Sequence, residues 1–141
     1  NGSPQLYDRG SVNGPGPYSG FAANGMPCQK PPWGRLTAVN ANTGEFAWKT
    51  TLGVSDSLPV GKQNTGRGGS AGPIVTAGGL VFIGATSDSR FRAIDSRTGK
   101  ELWVAKMNAN GGANPMTYQG KSGKQYVVQA AGGTLNVYAL P

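Results

Sequence analysis

The sequence contains one short motif twice, first as Ala38-Val39-Asn40-Ala41-Asn42-Thr43-Gly44-Glu45-Phe46-Ala47-Trp48 and again as Ala93-Ile94-Asp95-Ser96-Arg97-Thr98-Gly99-Lys100-Glu101-Leu102-Trp103. Both copies read A-x-[N/D]-x-x-T-G-[E/K]-x-x-W, and they lie 55 residues apart. A repeat at this spacing is typical of stacked supersecondary units, with propeller blades and solenoids as the leading candidates.

The motif itself predicts a β-hairpin. The apolar residues before the Asn or Asp alternate as in a half-buried strand, N/D-x-x-T-G supplies a side-chain acceptor and a glycine for the turn, and the strand resumes through Trp. We expect Trp48 and Trp103 to wedge between adjacent sheets, with each indole N–H on a backbone carbonyl. This structural role is favoured over stacking on a ligand.

The flanking sequence predicts further strands. Two buried strands are expected at 73–77 and 80–85, around a tight Gly78-Gly79 turn. With the two strands of the motif they make four, and radially arranged four-stranded antiparallel sheets are propeller blades. The pattern restarts at 113–118, with a turn at 119–124, a strand at 125–131 and a last strand at 135–140.

The predicted fold class is therefore all-β, a partial β-propeller of about two four-stranded antiparallel blades over residues 33–141. Residues 1–32 are rich in Gly and Pro and predict an extended loop, which is either functional or a linker.

Composition excludes several kinds of site. The chain has 141 residues, a net charge of +7, one cysteine (Cys28) and no histidine. An internal disulfide, a multi-cysteine metal site and a Ser-His pair are thus excluded from these residues. The Lys and Arg residues are scattered singly, so nucleic-acid binding is not expected. No membrane-spanning stretch and no secretory signal are visible.

The two motif copies resemble the tryptophan-docking motif of dehydrogenases that depend on pyrroloquinoline quinone (PQQ), which are eight-bladed propellers. Pro27-Cys28-Gln29-Lys30-Pro31-Pro32-Trp33-Gly34 resembles the segment before a late blade in the membrane-bound glucose and quinate dehydrogenases of this family. Segments 76–86, 115–118 and 123–128 resemble the last blades of the same group. The resemblance covers most of the chain and implies the C-terminal part of such an enzyme.

The resemblance implies a periplasmic oxidoreductase. Such an enzyme transfers a hydride from a sugar or alcohol to PQQ, with a Ca²⁺ ion that polarises the quinone and an Asp as the base, and passes electrons to a quinone or a cytochrome. Neither the base nor the metal ligands map onto this chain, so no catalytic residue and no metal site are predicted here. Asp56, Asp88 and Asp95 are interpreted as structural residues of polar loops and turns.

Two segments of the chain are expected near the cofactor because of the resemblance. The first comprises Arg67, Ser70 and Ala71 with the glycines between them, and the second comprises Gly132 and Gly133. Glycine lets the backbone approach a planar ring, and an arginine can pair with a PQQ carboxylate. The alternative is that both segments are ordinary turns between strands. Family members carry more residues than this chain between Gly133 and the final strand.

The chain alone is expected to be inert and to bind no cofactor, since its partners would be the remaining blades of a parent protein. Exposed strand edges and apolar faces predict that it self-associates or exchanges edge strands between copies. Two other functions stay open. One is a non-enzymatic propeller with PQQ-like repeats that acts as a protein-interaction scaffold, and the other is a basic module that binds anionic polymers in a salt-dependent way.

Overall fold

The computed structural model describes residues 22–23 and 26–139. The chain divides into two compact units, 1–30 and 31–141. In the first unit, β1 (Ala22–Ala23) pairs with β2 (Met26–Pro27) in an antiparallel hairpin. Residues 1–21 and 24–25 of the expected extended loop lie outside the described residues.

The second unit contains three antiparallel sheets. They are a two-stranded sheet of β3 (Arg35–Val39) and β4 (Phe46–Thr51), a four-stranded sheet of β5 (Ile74–Val75), β6 (Leu80–Ile83), β7 (Arg90–Asp95) and β8 (Glu101–Lys106), and a three-stranded sheet of β9 (Met116–Gln119), β10 (Gln125–Ala131) and β11 (Thr134–Ala139). The all-β class and the partial propeller are confirmed. The described strands form one complete four-stranded sheet with a part of a sheet on either side of it.

The two motif copies fold into matching hairpins, as their sequence predicts. In the second copy, the Asp95 carboxylate accepts hydrogen bonds from the backbone N–H groups of Arg97 and Thr98, both at 2.9 Å. In the first copy, the Asn40 side chain accepts a bond from the N–H of Asn42 at 3.0 Å. The strand register shifts at the same motif position in both hairpins, between Ala and the following apolar residue. The Asn or Asp side chain therefore organises each turn.

Trp48 joins the first motif to the second. Its indole Nε1 donates a hydrogen bond of 2.9 Å to the carbonyl oxygen of Ser96. Its ring lies so close to Gly99 that a Cβ added there would sit 2.6 Å from Trp48 Cε3. Because β4 belongs to one sheet and the 95–99 turn to the next, this contact fixes the spacing of the two sheets, which confirms the predicted role of Trp48.

Trp103 occupies the same position of the next repeat, but only part of the prediction holds for it. Its ring packs edge-on against Phe91 and against Tyr138 of the three-stranded sheet, with centroid distances of 6.2 and 5.1 Å. It therefore lies between sheets as expected. The side chain is still 41% exposed, and its indole N–H, unlike that of Trp48, forms no hydrogen bond with the described residues.

The core consists of two layers, one on each face of the four-stranded sheet. Phe82, Phe91 and Met107 pack toward the three-stranded sheet, where Val127 and Ala131 meet them. Val81, Ile83, Ala85 and Ile94 form the other layer with Leu52, next to β4. Strands β6 and β7 are thus buried on both faces, which explains their continuous apolar runs.

The neighbouring strand β5 departs from the prediction. It was expected to be buried over 73–77, whereas only Ile74 and Val75 form the strand and Val75 is 67% exposed. Strand β5 is an edge strand of its sheet, so it has a hydrogen-bonded neighbour on only one side among the described residues. The described residues include no helix with the length and apolar composition that a membrane crossing requires.

Candidate functional site

Four connecting segments meet at one end of the sheets, here called the loop end: residues 52–73, 84–89, 107–115 and 132–133. Each of them follows a strand of the same direction, so the antiparallel repeat places them side by side. Backbone contacts join them in sequence. Ser70 N–H donates to Ala85 O at 3.3 Å, Met107 N–H donates to Ser89 O at 2.7 Å, and Gly111 forms an isolated bridge with Ala131. The predicted site residues all lie at this end.

Arg67 stands at the centre of the first predicted segment. Its backbone N–H donates to Leu52 O at 2.8 Å, and its side-chain Nε donates to Ser87 Oγ at 3.2 Å. Among the described residues, its two terminal guanidinium nitrogens have no carboxylate partner. The side chain is thus anchored at one nitrogen while two donors remain available to an anion.

A cavity of about 290 Å³ lies beside this segment. Gly34, Arg67, Gly68, Gly69 and Ala71 are among the residues that line it. A Cβ added at Gly68 would meet nothing within 4 Å, so the backbone there has open space beside it. The structure therefore brings Arg67 and Ala71 together in one cavity, with Ser70 between them in the chain.

The second predicted segment has a different geometry. Gly132 and Gly133 are the two central residues of the tight turn from β10 to β11, flanked by the Ala131–Thr134 pair. Both have positive φ, 55° and 76°, as a two-residue hairpin turn of type I′ requires. The turn alone accounts for these glycines. They share the loop end with Arg67, Ser70 and Ala71 but line none of the cavities described here.

The acidic residues at the loop end are bound by arginines. Asp56 accepts two hydrogen bonds from the Arg90 guanidinium, at 2.9 and 3.0 Å, and this hydrogen-bonding lowers the pKa of Asp56. Asp88 is buried, although its surroundings in the sequence are polar, and it is paired with the buried Arg92. The structural interpretation of both residues is consistent with these pairs.

Burial works to raise the pKa of Asp88, but hydrogen bonds outweigh it and the pKa stays lowered. The bonds come from the Arg92 guanidinium, from Thr86 Oγ1 at 2.6 Å and from the backbone N–H of Val54 at 2.9 Å. Because Val54 follows β4 while Asp88 precedes β7, this buried ion pair joins two of the loop-end segments. Sequence reasoning missed it. The alternation Arg90-x-Arg92, which places both arginines on one face of β7 directly after Asp88, was the available signal.

No metal site is present in the part of the chain that the structure describes, where no three His, Cys, Asp or Glu residues converge. Cys28, in the first unit, is exposed. The described residues therefore offer an arginine, open backbone and hydroxyl groups at the loop end, which suit the binding of an anion better than acid-base chemistry.

The fold defines a segment of a β-propeller whose sheets are joined by docked tryptophans, and comparison with known proteins identifies the family. The family model described as the glucose/ethanol/alcohol dehydrogenase β-propeller domain, designated PQQ, matches residues 10–127. The chain belongs to this family.

Two curated relatives match most of the chain. The quinate/shikimate dehydrogenase (quinone) of Acinetobacter baylyi is 45% identical over 120 residues, which are 80% of this chain and 15% of the relative. Quinoprotein glucose dehydrogenase A of Acinetobacter calcoaceticus is 45% identical over 132 residues, 83% of this chain and 16% of the relative. These matches confirm the predicted group of glucose and quinate dehydrogenases.

A solved structure agrees with the fold. The quinohemoprotein alcohol dehydrogenase from Comamonas testosteroni superposes with a TM-score of 0.54 at 31% identity, over 70% of this chain and 12% of that protein. The chain thus spans about a sixth or less of the relatives that it matches.

Proposed function

We propose that this chain forms part of a periplasmic PQQ-dependent dehydrogenase that oxidises a sugar or an alcohol. PQQ, when bound, accepts the hydride from the substrate, and a quinone or a cytochrome takes up the electrons. The observation that carries the proposal is the loop-end cavity beside Arg67, found in a chain that belongs to the PQQ propeller family.

The residues beside this cavity fit a planar, polycarboxylate group. The terminal nitrogens of Arg67 can form a charge-assisted pair with a carboxylate, while the open backbone at Gly68 leaves room for a flat ring to approach. Ala71 supplies a small apolar wall. Ser70 is exposed and does not line the cavity, and its hydroxyl is proposed to contact the group from the rim. Gly132 and Gly133 are proposed to border the same group from the neighbouring sheet.

The chain's own part in the reaction is to bind and orient. No described group of three potential metal ligands could hold the Ca²⁺ ion, and the described carboxylates of Asp56 and Asp88 are held by arginines. We therefore assign the Asp base and the ligands of the metal to the rest of the parent protein. The isolated chain should be catalytically inert.

A paired substitution tests the cofactor assignment in the parent protein. Arg67→Gln should weaken PQQ binding by about tenfold or more, the loss expected for one charge-assisted hydrogen bond. Arg97→Gln is the matched control, because Arg97 is 87% exposed in the 95–99 turn at the opposite end of the sheets. Equal PQQ affinity in the two variants, measured by fluorescence titration, would remove Arg67 from the cofactor site.

Self-association is the proposed behaviour of the isolated chain. Strand β11 has a free edge among the described residues, and Leu135 and Val137 on it are 69% and 50% exposed. Leu102 and Trp103 add exposed apolar surface on the neighbouring sheet. Sedimentation analysis should show species larger than a monomer at high concentration, whereas a monomer throughout would contradict this proposal.

A further inference from the structure

A second loop-end cavity, of about 340 Å³, is lined mainly by polar residues. Two connecting segments and the end of one strand form its walls: residues 54–57 with Arg67, residues 87–89, and Lys106 at the end of β8. It is separate from the cavity beside Gly68 and Ala71, although Arg67 borders both.

Positive charge is in excess around this cavity. The Asp56 carboxylate is held by Arg90 through both of its oxygens, and the Asp88 carboxylate is held by Arg92. Arg67 and Lys106, by contrast, form no ion pair among the described residues. Lys106 has only a longer-range interaction with Asp56. Two cationic side chains thus face a cavity whose carboxylates are already neutralised.

Hydroxyl groups provide the matching donors. Ser57 and Ser87 line the cavity, and Ser87 Oγ accepts the bond from Arg67 Nε while keeping its own hydrogen for a further partner. An oxyanion needs several donors in addition to charge, and this combination of guanidinium, ammonium and hydroxyl supplies them.

The walls of the cavity are held in place by the fold. Ser89 has a φ of 53°, the one positive φ of a non-glycine residue in the described ranges. It is kept there because its carbonyl accepts a bond from Met107 N–H at 2.7 Å and its hydroxyl donates to Asn110 Oδ1 at 2.8 Å. A costly backbone conformation that persists is a common feature of binding sites.

We propose that this cavity binds a small oxyanion, a carboxylate or a phosphate, through Arg67, Lys106, Ser57 and Ser87. The site shares Arg67 with the proposed cofactor position and differs from it in Lys106 and Ser57, which take no part in that proposal. Loss of oxyanion binding in a Lys106 variant would therefore leave the cofactor assignment untouched.

Inorganic phosphate and acetate are the two probes. Each is titrated at constant ionic strength, up to about 20 mM, into the 141-residue chain at a protein concentration where sedimentation shows a monomer. The backbone amide signals of residues 54–57, 87–89 and 106 are followed by NMR. Saturable shifts at these residues with either probe support the proposal, and the stronger probe identifies the source as phosphate or carboxylate. Absence of saturable shifts with both probes would overturn it.

Substitutions separate the site from general charge attraction. Lys106→Gln should weaken binding of the stronger probe by about tenfold, the loss of one charge-assisted contact. Lys121→Gln removes the same charge from the exposed 119–124 turn at the opposite end of the sheets and should leave the affinity unchanged. Equal weakening in both variants would show that the anion responds only to net charge and would refute the site. Ser57→Ala, which keeps every charge, should weaken binding less than Lys106→Gln.

Discussion

The docking of Trp48 on Gly99 can be tested with a single methyl group. In Gly99→Ala, the new Cβ would lie 2.6 Å from Trp48 Cε3 and 2.8 Å from Cδ2, closer than atoms in contact allow. Either the Trp48 ring or the hairpin that contains residue 99 must shift, and overpacking of this kind costs about 1–3 kcal/mol of stability. The residue also has a φ of 73°, and an alanine in that conformation costs about 1–2 kcal/mol.

Gly44→Ala is the matched control, because Gly44 occupies the same position of the first motif copy. Its φ is 74°, almost identical to that of Gly99, yet a Cβ there would meet nothing within 4 Å. The control therefore carries the backbone cost alone. We expect Gly99→Ala to lower the free energy of unfolding by about 1–3 kcal/mol more than Gly44→Ala does.

Urea unfolding followed by tryptophan fluorescence measures both variants. In a Trp48→Leu background the difference between the two alanine substitutions should disappear, since the ring that causes the clash is gone. If the two variants lose equal stability with Trp48 present, the ring does not dock on Gly99, and the account of how the two sheets are joined is wrong.

Four further predictions follow from the loop end and from the sheet edges. Asp88→Asn should cost about 3 kcal/mol of unfolding free energy, because it leaves the terminal nitrogens of the buried Arg92 without a carboxylate, while the half-exposed Glu101 still binds Arg92 Nε at 2.9 Å. Asp56→Asn, at an exposed pair, should cost much less in the same urea assay, and equal losses would refute the stabilising role of the buried pair. The lowered pKa of Asp88 also predicts the response to acid. The stabilisation by the ionised Asp88 is complete above its unfolded pKa of about 3.8 and is lost as the pH falls toward the lower folded pKa. The wild-type chain should therefore lose more stability than Asp88→Asn over that interval, and parallel acid profiles would contradict this. Gln129→Leu should cost about 1–3 kcal/mol, because the fully buried amide donates to Ala113 O at 2.8 Å and the carbonyl would lose that partner; an unchanged urea midpoint would show that the bond contributes nothing. Val137→Lys, on the free edge of β11, should weaken self-association in sedimentation experiments, and an unaltered association constant would place the contact elsewhere.

The strands and the docking of Trp48 were predictable because their signals are local and repeated. The N/D-x-x-T-G segment carries its own turn acceptor, and the structure shows Asp95 and Asn40 in that role. The Trp at a fixed position after each turn was expected to pack between adjacent sheets, and the structure places Trp48 against the turn of the next repeat. Two copies of one pattern predict repeated, adjacent units, which a single copy does not.

The buried ion pair and the two cavities were not predictable in the same way. Thr86-Ser87-Asp88-Ser89 has the composition of an exposed loop, yet Thr86 and Asp88 are buried because residues 52–55 fold across them. The hydrogen bond from Val54 N–H to Asp88 joins residues that are 34 positions apart in the chain. Cavities form through such contacts between distant segments. The sequence therefore does not indicate that Lys106 and Arg67 border the same cavity.

The two segments proposed to lie near the cofactor differ in how well their geometry suits a ligand. Arg67 and Ala71 line one cavity, which agrees with a shared ligand. Gly132 and Gly133 have the geometry of a hairpin turn, and the short connection to β11 fits the few residues that the sequence has there. The Arg67 segment is therefore the better target for mutagenesis of the cofactor site.

The most direct measurement of the central claim is the reconstitution of the full-length parent protein with PQQ and Ca²⁺, followed by dye reduction with a panel of sugars and alcohols. The 141-residue chain is assayed alongside it. We predict PQQ-dependent activity in the parent protein and none in the chain. A parent protein that binds no PQQ would contradict this and would favour the protein-interaction scaffold.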